Sequence, residues 1–221
     1  KLYHFIKKIA IEKKIGLIND LKTKNKVLLD IGCGTGSFLG EIKKNGWSVS
    51  GIEPNSMARE TAIKKYSVQI YDENKLKDLP GSTFSIITMW HVLEHVHNLK
   101  QRIREIYNLL ENGGYAVIAV PNYTSWDANY YKIFWAGYDL PRHLYHFSPS
   151  SIKELFKELN FIHTKSLPMK FDSYYVSLLS EKYKKSLFKF IKALIIGWWS
   201  NKNAKDNAEK YSSVIYIFQK K

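Results

Sequence analysis

Residues 27–36 read VLLDIGCGTG. A short apolar run stops on an acid, Asp30, and passes straight into glycines at 32, 34 and 36. That is the pattern of a buried strand delivered into a tight turn, where the lack of side chains lets a ligand lie against the backbone. The spacing is G-x-G-x-G. A dinucleotide site asks for its third glycine at 37, which is Ser, and a phosphate loop asks for Gly-Lys-Ser or Gly-Lys-Thr, which the turn lacks.

Outward from this turn, short apolar runs recur at 47–52, 67–71, 84–90 and 114–120, each of strand length, the first of the series being 26–31. Helical spacing fills the gaps at about 36–45, 55–66 and 98–111, the last closed by Asn112-Gly113-Gly114, a helix-stop pattern. Strands alternating with helices predict an α/β architecture, a mostly parallel sheet with helices on both faces. Residues 2–22 place Leu2, Phe5, Ile6, Ile9, Leu17, Ile18 and Leu21 at helical intervals, so the chain opens on a helical arm. Past the fifth strand, 121–147 is aromatic and rich in turn formers, and a stretch of that length is expected to be a lid or substrate insert. A helix at 149–159 and a strand at 161–167 restore the alternation. Residues 174–199 form one long amphipathic stretch, and 212–219 close a seven-stranded sheet. The expected organisation is one domain over 1–221: arm 1–24, ligand-binding core 25–120, insert 121–147 and helical insert 174–200 before the last strand.

The 221 residues suffice to bury a core without staples, and the net charge of +14 asks for an anionic partner or a solvated basic surface. Lys greatly outnumbers Arg, whereas specific phosphate recognition favours Arg forks, so nucleic acid is disfavoured. The single cysteine, Cys33, excludes an intramolecular disulfide and a four-thiolate zinc site within this chain. No signal peptide and no uncharged run of eighteen apolar residues is present, which leads to the expectation of a cytoplasmic protein, with peripheral membrane contact left open. The chain starts at Lys1 rather than Met, so an upstream segment is expected to be missing.

Four segments in order resemble the class I S-adenosylmethionine-dependent methyltransferases over about 25–165: DIGCGTG at 30–36, the acid Glu53 in GIEPN, FSIITMWHVLEHV at 84–96 with its Leu-Glu-His-Val helix start, and LLENGGYAVIAVPN at 109–122. The resemblance implies a Rossmann-like fold and S-adenosyl-L-methionine as cofactor, with S-adenosyl-L-homocysteine as product. It implies that Asp30 orients the amino-acid end, directly or through water, with the backbone of Gly32 and Gly34 against the ligand. Cys33, Thr35 and Gly36 belong to the same loop. Glu53 would accept both ribose hydroxyls with its two oxygens, beside Pro54, and Asp72 or Glu73 would reach the adenine amino group; Met89 and His91 would border the cofactor. Pro80 comes later than in the family's usual Asp-x-x-x-Leu-Pro register. No metal is expected. Cys33 is read as loop filler, with a thiolate stabilised at a helix start as the reactive alternative.

Methyl transfer needs alignment above all, but an oxygen acceptor must also lose a proton, which directs attention to histidine. His143 is the first candidate for general base, with His91 beside it as a catalytic or cofactor contact, while Glu94 and His95 hold their turn together. His143 lies in DLPRHLYHFS at 139–148, a segment similar to one that recurs in a subgroup of small-molecule methyltransferases. Tyr138, Arg142, His143 and His146 are the substrate candidates; Arg142 would take a carboxylate or phosphate, and the alternative role for His143 and His146 is to fasten the lid.

One feature stands apart. KYKKSLFKFIKALIIGWWSNK at 182–202 sets Leu187, Phe188, Ile191, Leu194, Ile195, Trp198 and Trp199 against Lys184, Lys185, Lys189 and Lys192. Either its apolar face packs on the domain or on a second subunit, or it lies in a membrane interface and serves a lipid-linked acceptor. The expected activity is methylation of a small-molecule acceptor, oxygen first and nitrogen or carbon next. An RNA methyltransferase, or a non-catalytic cofactor-binding or membrane-docking protein, is the alternative.

Overall fold

The computed structural model describes residues 2–221, and side chains from Ile6 onward. The expected roles of Leu2 and Phe5 in the opening helix lie outside the described residues. Contacts divide the chain into two compact units: residues up to Trp90 with Gln101–Val117 and Gln219–Lys221, and His91–Lys100 with Ile118–Phe218.

In the first unit, α1 (Leu2–Asn19) is followed by β1 (Val27–Ile31), α2 (Ser37–Lys43), β2 (Ser48–Ile52), α3 (Ser56–Tyr66), β3 (Gln69–Tyr71), β4 (Phe84–Trp90), α4 (Leu99–Leu109) and the start of β5 (Leu110–Pro121). The apolar runs become strands because their side chains are buried: Leu28, Leu29, Ile31, Ile52, Ile86 and Ile87 are at most 2% exposed, and each such burial is worth roughly 1.5–3 kcal/mol. β1 pairs in parallel with β2 and β4, and β2 with β3. The arm is tied down by Ile18, which is fully buried, by Trp47, whose Nε1 donates to Asn19 Oδ1 at 2.8 Å, and by Lys7, whose Nζ donates to Ser37 Oγ at 2.9 Å. Two boundaries differ from the sequence reading. β3 begins only at Gln69, because Ser67 turns left-handed (φ 50°) to cap α3. The Asn112-Gly113-Gly114 run is not a helix stop: α4 ends at Leu109 and β5 starts at once. That segment is held as strand because Leu110 is fully buried, Lys220 Nζ donates to its carbonyl at 2.7 Å, and Gln219 Nε2 donates to the carbonyl of Gly113 at 3.0 Å.

The second unit holds α5 (Trp126–Tyr131), α6 (Pro149–Glu158), β6 (Phe161–Pro168), α7 (Asp172–Tyr183), α8 (Lys189–Ala204) and β7 (Ser213–Lys220). The strand order is β3-β2-β1-β4-β5-β7-β6, seven strands as expected. Ser148 opens α6 with a reciprocal capping box to Ser151, followed by Pro149. Two expectations are corrected. The Leu-Glu-His-Val segment is a single 3₁₀ turn, Leu93–His95, and the helix waits until Leu99. Residues 174–199 are not one helix but two. The chain breaks over 184–188, where Lys185 turns left-handed (φ 53°), because α7 and α8 fold back on each other through a seam of small residues. Ser173 and Ser177 of α7 and Ala193 and Ser200 of α8 are buried along it. Gly197 has no substitute there: a Cβ would sit 2.6 Å from the Tyr174 ring.

The insert 121–147 is not a loose loop. Asp127, fully buried, accepts from Trp135 Nε1 at 2.8 Å, Ser200 Oγ at 2.7 Å and Ser212 Oγ at 2.7 Å, and so ties α5, the insert, α8 and the entry to β7 to one carboxylate. Asp127→Ala strands three donors without a partner and should lower unfolding stability by about 1–3 kcal/mol, read as a reduced urea midpoint. An unchanged midpoint would show that the carboxylate does not hold the insert.

Candidate active site

The glycine turn leaves the carboxyl end of β1, the strand on either side of which the order of strands reverses, the usual location of ligands in open α/β sheets. Gly32, Gly34 and Gly36 all have positive φ (76°, 54° and 72°). Gly36 is forced to be glycine twice over, since a Cβ would also lie 2.7 Å from that of Ala62 on α3. At Gly34 the opposite holds: no atom stands within 4 Å of where a Cβ would point, so the turn presents bare backbone to open space. The amides of Gly32 and Cys33 both donate to the carbonyl of Ile52, at 2.7 and 3.1 Å, which fixes the turn to the end of β2.

Two acids flank this turn. Asp30 is 2% exposed, and Thr88 Oγ1 donates to its Oδ1 at 2.6 Å; burial outweighs that bond and the charge of Lys14 and pushes the carboxyl up to about 7. Glu53 accepts from the amide of Gly34 through Oε2 at 2.8 Å and from that of Asn55 through Oε1 at 2.9 Å, and each oxygen keeps a further lone pair. Arg59, which the sequence reading passed over, holds the next carboxylate in place. Its Nη1 donates to the carbonyls of Glu53 and Pro54, both at 2.8 Å, and pairs with Asp72 at 2.9 Å. Of the two acids read for the adenine, Glu73 is engaged elsewhere, paired with Arg102 at 2.6 Å. Thr35 and Pro54 are exposed beside the turn. Met89 is different: it is fully buried within β4, so its side chain offers a ligand no surface. The Cys33 thiol is pushed up by burial and by the charges of Asp30 and Glu53, which removes the reactive-thiolate alternative.

In the second unit a cluster of histidines surrounds one buried acid. Glu94 is 1% exposed, and neither of its carboxylate oxygens has a hydrogen-bond partner among the described residues. Its Oε1 lies 3.5 Å from His91 Nδ1 and 4.0 Å from His143 Nε2. Its backbone carbonyl takes the amides of Leu144 and Tyr145, at 2.8 and 3.3 Å, so the His143 segment is registered on the Glu94 turn.

The two histidines read as catalytic differ in charge. Burial pushes His91 down, but Asp172, 2.9 Å from its Nε2, and Glu94 outweigh burial and raise it to about 10. His91 is thereby held toward the imidazolium form, which leaves His143 as the proton acceptor of the two; Asp172, the residue responsible, was not singled out from the sequence. His143 is held the other way. Burial lowers its pKa below the ordinary 6.5 in spite of Glu94 and the bond to Gly137. Its Nδ1 lies 2.8 Å from the Gly137 carbonyl, a contact that assigns the proton to Nδ1 and the lone pair to Nε2. That Nε2 lies 4.0 Å from the Glu94 carboxylate and 3.8 Å from that of Asp139, beyond hydrogen-bond distance of either.

The remaining candidates divide. Tyr138 and His146 line a cavity of about 780 Å³ with Trp135, Asp139, Lys132 and Tyr183. His146 also meets the Tyr138 carbonyl at 3.0 Å, the fastening role given as its alternative. Arg142 is exposed and paired with Asp139 at 2.7 Å, and its carbonyl meets His95 Nδ1 at 2.9 Å. Glu94, His95 and His143 bring three donor atoms within 4.8 Å of one another, a spacing open to a divalent cation.

A family model described as a methyltransferase domain matches residues 5–165. The chain is 31% identical over 105 residues to the ubiquinone biosynthesis O-methyltransferase of Pseudomonas paraeruginosa, a match that covers 44% of this chain and spans less than half, 45%, of that protein. It is 29% identical over 175 residues to the protein of the same name from Rickettsia typhi, covering 72% of this chain and 70% of that one. Among solved structures, a SAM-dependent methyltransferase from Archaeoglobus fulgidus superposes with a TM-score of 0.66 at 23% identity, over 96% of this chain and 94% of the other, a likeness of fold.

The charge assignments are open to ring-resolved NMR titration. His91 should keep its imidazolium shifts through pH 9, while His143 should lose its proton below pH 6.5. A His91 ring that titrated near 6.5 would overturn the clamp by Asp172 and Glu94.

Proposed function

The chain belongs to the class I S-adenosylmethionine-dependent methyltransferases, and on that footing we propose that it methylates a hydroxyl oxygen of a small-molecule acceptor with His143 as general base. The observation that carries the base assignment is the contact of His143 Nδ1 with the Gly137 carbonyl, which leaves Nε2 as the acceptor atom.

S-adenosyl-L-methionine supplies a methyl group on a sulfonium, an electrophile that needs no metal or phosphate grip from the protein. The glycine turn fits it. Open space over Gly34 admits a ligand to the backbone, and Asp30 and Glu53 stand at the ends of β1 and β2 as acceptors for an ammonium and for ribose hydroxyls. Asp72, steadied by Arg59, is the acceptor for the adenine amino group.

The protein's own work at the acceptor is proton management. His143 is neutral near pH 7, so it receives the hydroxyl proton at Nε2 while Nδ1 keeps its contact with Gly137. The imidazolium that results lies 3.8 Å from the Asp139 carboxylate and 4.0 Å from that of Glu94, which stabilise it as it forms. The cavity lined by Trp135, Tyr138 and His146 offers aromatic walls to the acceptor. The names of the Pseudomonas and Rickettsia relatives support oxygen as the atom methylated. An acceptor carried on a lipid suits the same reading; among the described residues no helix is long and apolar enough to cross a membrane.

Two substitutions separate binding from chemistry. Glu53→Ala should weaken S-adenosyl-L-homocysteine about 10- to 100-fold by calorimetry, the equivalent of ~1–3 kcal/mol; equal affinity would remove its ribose role. His143→Ala should leave that affinity intact and lower kcat about 10²- to 10⁴-fold with a hydroxyl acceptor found by screening. Because the base acts when neutral and its pKa lies below 6.5, wild-type turnover should fall as pH drops through that range, and the variant should lose this acid limb. Full turnover in the variant would exclude His143.

A further inference from the structure

Eight large apolar residues between 187 and 199 lie on the surface, and none is less than 42% exposed. Along α8 they come in pairs one turn apart: Phe190 with Ile191, Leu194 with Ile195, Trp198 with Trp199. Leu187, at 92% exposed, and Phe188 extend the stripe into the turn before α8. The expectation that this face packs on its own domain fails for a simple reason. The side of α8 that is buried carries Ala193, Ile196, Gly197, Ser200 and Ala204, the small-residue stripe taken up by α7, and it leaves the large side chains outward. An uncovered patch of this kind marks an interaction surface.

Its charge names the partner. From Lys182 to Lys205 there are seven lysines and no acid. Lys189 lies over the Phe190 ring at 5.4 Å, and Lys202 lies over Trp198 and Trp199 at 5.0 and 4.8 Å, so long cationic side chains border the apolar stripe. We propose that the outer face of α8 and the turn before it seats the protein on an anionic lipid bilayer, with the tryptophans at the headgroup level and the lysines on lipid phosphates. A second copy is a poor occupant, because a two-fold contact would set the seven lysines of one chain against the same seven of the other. The cavity described above points the same way: it is bordered by Tyr183, the last residue of α7, and by Ile133 and Leu140, which are 85% and 72% exposed.

The test uses the full chain and co-sedimentation with vesicles of phosphatidylcholine alone and of phosphatidylcholine with phosphatidylglycerol. Binding to the anionic vesicles should be at least about ten-fold stronger and should fall with added salt. Trp198→Ser with Trp199→Ser should lower it by about ten-fold or more, and Lys189→Glu with Lys192→Glu should abolish the preference for anionic lipid. Lys192, Trp198 and Trp199 are exposed and Lys189 is half-buried, and none belongs to the glycine turn, so S-adenosyl-L-homocysteine titration should be unchanged in both variants, and its loss in the wild type would indict the cofactor site rather than this surface. No binding to anionic vesicles, equal binding to both compositions, or variants that bind like the wild type would overturn the proposal. So would a concentration-dependent dimer that disappears in the tryptophan variant while vesicles are ignored, since the occupant would then be a second copy.

Discussion

The position of β1 in the sheet is the constraint from which the cofactor site follows. With β2 on one side and β4 on the other, both parallel to it, the chain must leave β1 at a point where its neighbours run off in opposite directions. In open α/β sheets ligands sit outside the carboxyl end of such a strand, which is where positions 30–36 lie. An acid at the last turn of a buried strand would be a defect anywhere else. Here it is held by Thr88 from the neighbouring strand, and burial raises its carboxyl to about 7.

Buried carboxylates recur through the molecule, and their surroundings sort them by role. Asp127 has three donors within 2.8 Å and serves as a mechanical joint. Glu53 has two backbone amides and spare lone pairs, which makes it a brace for the glycine turn and leaves it the acceptor capacity that the proposed ribose role requires. The Glu94 carboxylate has no hydrogen-bond partner among the described residues, only histidines at ion-pair distance, and an unpaired acid in the interior costs stability unless a nearby cation offsets it. His91, raised to about 10 by Asp172 and Glu94, provides that charge near neutral pH. His143, whose pKa burial holds below 6.5, is the one histidine of the pair able to gain charge beside Glu94, so under the proposed base role the same acid would favour its protonated form.

The sheet was legible because burial on both faces writes itself as apolar runs; all seven strands fall within a few residues of where periodicity put them. The positions of Asp30 and Glu53 at strand ends were legible for a related reason, since strand ends are fixed once strands are. The misreadings share a cause. Asn112-Gly113-Gly114 has the composition of a helix stop, but contacts from the end of the chain, Gln219 and Lys220, decide its conformation. The break between α7 and α8 depends on the two helices meeting through Ser173 and Gly197, a fact that no local pattern carries. The charge of His91 was not legible because it is set by Asp172, eighty-one positions away in sequence, and Arg59 was missed because a surface helix is full of cations until one is seen to hold a turn.

The orientation of His143 rests on a peptide carbonyl, and that has a genetic consequence. A base steered by a side chain offers mutation two targets, the base and its steering residue. Gly137 contributes only backbone, and its own replacement is closed off because any Cβ there would collide with the Trp135 ring. The tautomer preference is thus tied to a backbone position that a side chain can enter only by displacing the Trp135 ring.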